Sequence, residues 1–362
     1  MSTIGLATHP VPIAAIKMWA RHLLCFVFPL LTLGFVASGP HSGYGALRWL
    51  VPLPLFDWWD HRSGAARHEP VVDTPTWPFD AMLYLLVALQ FLNVALLAHL
   101  FSVQRLWSAD ALVAVLLMGA NSGVTALVVA HELIHRKEAH LRLLGRALLC
   151  TVVYEHFYTE HVRGHHVRVG TPDDPATARY GETLWRFLRR TVPGQFRSAW
   201  RLEAERLGDA DMRPWDVRLV RSRVVHGLIG EWALALAIGV LWGPTAVAIF
   251  VLQALNAIGS LERVNYFEHW GLVRRTRKVR PVDSWDTDSS FTLFALVGLS
   301  RHADHHAFAS RPFQQLRHRH QSPKLPTGYF AINYLMIFRN RRFQSLMTDE
   351  LRRRRLGPFA DN

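Results

Sequence analysis

Uncharged apolar stretches alternate with Arg-rich polar ones along the 362 residues. Residues 81–100, AMLYLLVALQFLNVALLAHL, and 111–130, ALVAVLLMGANSGVTALVVA, contain no Asp, Glu, Lys or Arg. A helix needs about 20 apolar residues to cross a bilayer core, so each run predicts one span. Residues 232–261 are also free of formal charge, with Gly243-Pro244 in the middle. At about 1.5 Å per residue that run is roughly 45 Å long, which predicts a helical hairpin broken at Gly-Pro. Residues 23–38 form a shorter run containing Pro29, and 141–159 a weaker one. The expected fold is therefore all-α and polytopic, a single integral-membrane domain. About six transmembrane helices are expected, near 16–38, 80–101, 109–131, 141–159, 225–243 and 244–262. A Pro- and Trp-rich loop fills 39–78, and a cytoplasmic cap comes from 160–223 and 263–362. Ser108 and Asp110 suit the start of the third helix. The small residues of MGANSG, 118–123, leave room for an apolar chain between spans, although close helix packing is their plainer use.

Charge sharpens the topology. Net charge is +13, from 41 Lys and Arg against 28 Asp and Glu. Residues 186–223 hold ten arginines and five acids, 274–280 read RRTRKVR, and 352–355 are RRRR. Basic loops beside spans stay in the cytoplasm and meet anionic headgroups, which accounts for these clusters without nucleic acid. The same face could receive an acidic protein. The N-terminal run starts late and lacks a cleavage-site pattern, so it does not read as a signal peptide. Cys25 and Cys150, the only cysteines, lie in apolar runs and make no metal-binding pair.

Histidine carries the chemistry. HELIHRK, residues 131–137, places His131 and His135 four apart on one helix face with Glu132 between them, a pattern shared with zinc proteases. Residues 160–166, EHVRGHH, add His161, His165 and His166; residues 302–306, HADHH, add His302, His305 and His306; NYFEHWG adds His269. All adjoin the ends of apolar segments. A catalytic zinc takes only three protein ligands, and these nine imidazoles suit two ions with four or five nitrogens each. Imidazole serves iron, copper and zinc alike. A transporter would need ionisable groups within its spans, and the runs offer only Glu231 and His99.

HELIHRK, EHVRGHHVRVGTPDDPATARYGE, NYFEHWGL and RHADHHA with the later LPTGY together resemble the integral-membrane alkane 1-monooxygenases, within the histidine-rich di-iron hydroxylases and desaturases. The resemblance implies two iron ions held by His131, His135, His161, His165, His166, His269, His302, His305 and His306, with O2 as co-substrate and no haem or flavin. Glu132, Glu160, Glu268 and Asp304 become candidates for orienting ligands or bonding iron. The implied reaction is hydroxylation of a terminal methyl on an alkane or an alkyl-aromatic. A lipid desaturase on the same irons, or an intramembrane zinc protease, stands as the alternative. Ile134 and the His135-Arg136-Lys137 sequence depart from the common family pattern and bear on the substrate. His140 and His156 lie outside the implied ligand positions, and His318 and His320 read as a solvated basic stretch. The chain has no dinucleotide fingerprint, so electrons must come from separate carriers; the resemblance implies a rubredoxin or ferredoxin-type carrier with its NAD(P)H-dependent reductase. Membrane lipids are the other expected partner, in a bacterial inner membrane with the active site facing the cytoplasm.

Overall fold

The computed structural model describes residues 13–70 and 75–360; residues 71–74 of the expected loop and the last two of the expected cap lie outside that range. Among the described residues, five helices are long and apolar enough to cross a bilayer: Ile13–Ser38, Trp77–Val103, Ala109–Ile134, Arg223–Trp242 and Pro244–His269. They are called the first to fifth spans below. Exposed Leu85, Leu92, Leu236, Val240 and Leu255 give them an apolar outer surface, and the chain is a multi-pass integral membrane protein. Gly243, at φ 86°, makes the turn between the fourth and fifth spans, where a side chain would be strained.

Segment 141–159 differs from the single crossing expected of it. It forms a 12-residue helix, Ala139–Cys150, a turn, and a short helix beginning at Phe157. The turn is held among the spans by side-chain amides. Gln90 of the second span donates to Thr151 Oγ1 and to Ser122 Oγ of the third, at 3.0 Å each. Ser122 donates in turn to Gln253 of the fifth span (2.8 Å), and Gln253 donates to the Thr151 carbonyl (3.0 Å). Non-helical backbone survives at membrane depth only where protein buries it, and Thr151, Val152 and Glu155 are all sealed from the surface.

The expected loop is itself partly helical and runs along the bundle. His41 bonds Asp110 at the start of the third span (2.6 Å), while Asp60 accepts from Ser289 and Thr292 at the opposite end of the bundle. Between them run Gly45–Leu50 and Pro52–Arg62, with Val51, Leu55, Trp58 and Trp59 exposed. Prolines at 52 and 54 interrupt the apolar pattern of this stretch in the sequence. Asp60 also accepts from the Phe330 and Ala331 amides (2.9 and 3.2 Å), starting the apolar helix Tyr329–Phe338 beside this stretch.

In MGANSG, packing and space divide the work. A Cβ at Gly119 would fall 2.5 Å from Asn256 Nδ2, so that glycine sets the contact with the fifth span. Ala120 and Gly123 face a cavity.

Candidate metal centre

The nine histidines reach one place from four segments. The ligand atoms of His131, His135, His161, His166 and His305 all lie within 4.8 Å of one another; those of His165, His269, His302 and His306 form a second such group. The groups touch, with the His166 and His306 rings stacked at 4.4 Å.

Local backbone decides which ring joins which group. His131 and His135 share a face at helical spacing, as do His302 and His306. Residues Glu160–His165 instead form a π-helical turn, which holds about one more residue than an α-turn. His161 therefore shares its group with His166, five positions on, and His165 turns to the other group.

The donors suit a metal. Among the described residues, Nε2 of His131, His135 and His165 is buried without a hydrogen-bond partner. His165 has its Nδ1 committed to Asp174 at 2.9 Å, which leaves Nε2 as a bare lone pair. In the second group Nε2 of His302 stands 3.2 Å from that of His269 and 2.9 Å from that of His306. A neutral ring offers one proton or one lone pair at Nε2, so hydrogen bonding cannot satisfy both contacts, and a cation among the rings removes the cost. Burial first, then neighbouring imidazoles, pushes His161, His166, His302, His305 and His306 well below the ordinary histidine range, and His135 to about 3. These rings are neutral at physiological pH, the form that binds metal.

The four carboxylates separate. Glu268 Oε2 lies 3.2 Å from His302 Nε2, while Tyr329 donates to its other oxygen at 2.5 Å. Among the described residues it alone of the four comes within ion-pair distance of a histidine nitrogen. Glu132 is taken by Arg136 (2.8 Å) and Glu160 by Arg168 (2.9 Å). Burial raises the Glu160 carboxyl to about 7, against the opposing pull of Ser198 and Arg168. Asp304 is enclosed by Arg311, Arg319 and the Arg317 amide.

Asp174 escaped sequence reasoning as an orienting group. It lies in the GTPDDP string, whose spacing says nothing of a contact with His165 nine residues earlier. Burial would raise its pKa, but His165 and Thr177 hold it below the usual carboxylate value. His318 corrects another expectation: it is buried and bonded to Asp288 at 2.9 Å, whereas His320 beside it is exposed. Arginines on both sides gave the segment a solvated appearance that the fold overrides. His156 packs between Tyr154 and Phe196, His140 is exposed, and neither joins a group.

A cavity of about 340 Å³ opens beside the centre. Its floor carries His131, His161, His302 and Glu268, and its walls include Val124, Leu127, Phe157 and Leu296. The lining is mostly apolar, which fits a hydrocarbon better than a polar metabolite.

Comparison with known proteins gives the chain's family. Residues 106–335 match the fatty acid desaturase family model. Alkane 1-monooxygenase 1 of Pseudomonas aeruginosa is 39% identical over 229 residues, 62% of this chain and 59% of that protein. Alkane 1-monooxygenase 1 of Alcanivorax borkumensis is 31% identical over 346 residues, 92% of this chain and 84% of its own length. The hydroxylase component of a xylene/toluene monooxygenase from Pseudomonas putida is 28% identical over 207 residues, 57% of this chain and 55% of that one. With nearly the whole chain aligned to one such relative and the histidine-bearing part matched to the broader model, this protein belongs to the alkane 1-monooxygenase family, within the fatty acid desaturase group.

Proposed function

We propose that the chain is a membrane-bound monooxygenase that hydroxylates a terminal methyl of an alkane or alkyl-aromatic, with two irons held by the nine histidines. One observation carries the reading: two adjoining sets of inward-facing imidazoles meet at the floor of an apolar cavity between membrane spans. Bound iron supplies the oxygen chemistry, R–CH3 + O2 + 2e⁻ + 2H⁺ giving R–CH2OH + H2O. The chain's own residues do the rest. Asp174 fixes the tautomer of His165, and Glu268, held by Tyr329, faces the second group and can ligate or orient there. Cavity walls exclude water and align a chain that enters from the bilayer with its end toward the histidines.

Electrons reach this site from separate proteins, a rubredoxin or ferredoxin-type carrier with its NAD(P)H-dependent reductase. The helix Leu184–Arg206 packs on the π-helical turn that carries His161 and His165, and it exposes Arg186, Arg189 and Arg197. Those three arginines make no ion pair among the described residues, which suits an acidic carrier. Basic residues concentrate at the histidine end of the bundle, supporting a cytoplasmic site in a bacterial inner membrane.

Metal and product analysis test the reading together. Detergent-purified protein should carry two irons and little zinc, and with a reductase system should convert octane to 1-octanol. A single zinc per chain would overturn it in favour of a protease, and alkenes from acyl lipids in favour of a desaturase.

A further inference from the structure

The cavity has a second, polar end. Arg263 lines it from the fifth span, six residues before His269, or roughly 9 Å along the helix axis. An ionisable side chain within a membrane span is a functional signal by default, because its burial needs a compensating partner. Two of its nitrogens are fixed: Nε donates to Asn333 Oδ1 at 3.1 Å and Nη2 to Ser260 Oγ at 2.7 Å. Nη1 makes no hydrogen bond, and no carboxylate lies within 4.0 Å of the guanidinium among the described residues. Asn333 is itself braced by donating to the Tyr329 carbonyl at 2.6 Å, so the guanidinium is preorganised. Asn333 and Ser260 line the same cavity.

We propose that Arg263, with Asn333 and Ser260, forms a subsite for the carboxylate of a single-chain fatty acid whose hydrocarbon lies toward His131, His161 and His302. A guanidinium matches a planar carboxylate through parallel N–H donors, and a desolvated site strengthens the pair. Nothing in the hydroxylation of a bare alkane uses a fixed cation beside the chain. At about 340 Å³ the cavity takes one chain and not a two-chain phospholipid. Asp57, on Pro52–Arg62, lines the cavity too and opposes an anion there. The subsite therefore discriminates by balance of charge, with Arg263 the oriented partner. This inference rests on the proposed hydroxylase reading for the fate of the chain, but not for the binding itself.

Binding to the full chain in nanodiscs tests it, with decanoate, 1-decanol and decyl phosphate as probes. Arg263→Gln should lower decanoate affinity at least about tenfold while changing 1-decanol much less, the loss expected of one charge-assisted pair. Arg263→Lys should recover part of it, and Asp57→Asn should raise decanoate affinity. Equal shifts for decanoate and 1-decanol in Arg263→Gln overturn the subsite. Tighter binding of decyl phosphate than of decanoate overturns its assignment to a carboxylate. If Arg263→Gln does not fold, an unchanged decanoate affinity in Asp57→Asn overturns it. Turnover of decane by the iron-loaded wild type, without Arg263-dependent decanoate binding, sinks the subsite and leaves the hydroxylase standing. Arg263-dependent binding without turnover of either decane or decanoate does the reverse.

Discussion

His165 shows how much hangs on one unassuming neighbour. Its Nδ1 is fixed by Asp174, which is in turn held by the Thr177 hydroxyl (2.6 Å) and the Ala176 amide (3.1 Å). Removing such an outer partner typically costs 10–100-fold in metal affinity. Asp174→Ala should therefore lose metal from the four-histidine group first, seen as iron per chain falling toward one during dialysis against a chelator. Asp288 gives the pH counterpart. Burial would raise its pKa, but Arg67, Lys324 and His318 together hold it at about 2. A depressed carboxylate contributes stability fully above its unfolded pKa of about 3.9 and loses it as pH falls through the folded value. Thermal melts of Asp288→Asn should thus differ from wild type at pH 6 and converge with it toward pH 2.

Helices and turns set the cavity and the strength of its walls. Gly123 faces the cavity, where a Cβ would make only an ordinary 3.5 Å contact with Ser260. Gly123→Leu should fold and fill space, shifting product profiles toward shorter alkanes in a competition of chain lengths. Asp60 joins three elements, since it accepts from Ser289 and Thr292 and from the amides that open Tyr329–Phe338. Asp60→Ala deletes the helix-start contacts and strands buried hydroxyls, a loss of roughly 2–4 kcal/mol. A lowered melting temperature in detergent would show it, and an unchanged one would refute this role. The sequence carried the apolar runs of the five long helices plainly because lipid demands unbroken hydrophobicity. It did not carry the helical stretch at 45–62, whose prolines, tryptophans and Asp57 looked like a loop, nor the re-entrant turn at Thr151, which is held by amides far apart in sequence.

At the scale of the molecule, the histidine groups and the helix Leu184–Arg206 packed on their π-helical turn each carry a test of the proposed function. Nine bare imidazoles in a buried volume are unfavourable neighbours, so metal should bind the folded state preferentially and stabilise it by mass action. Chelation is expected to lower the melting temperature, and added ferrous iron to restore it. On that helix, reversing Arg186, Arg189 and Arg197 to Glu should slow reduction by an acidic carrier at low salt, with the difference fading as ionic strength rises. Rates equal to wild type at low salt would exclude this helix as the docking site.

Residue type and spacing alone determined that the chain crosses a membrane several times and that nine histidines adjoin the ends of its apolar segments. Both follow from local rules: lipid requires long uncharged helices, and metals require clustered donors. The division of those donors into sets of five and four was decided only in three dimensions, by a π-helical turn that sends His165 and His166 to different partners. The same holds for Asp174 behind His165, for Arg263 at the polar end of the cavity, and for the burial of His318. Each depends on contacts that only packing creates, and packing joins residues without regard to their separation along the chain.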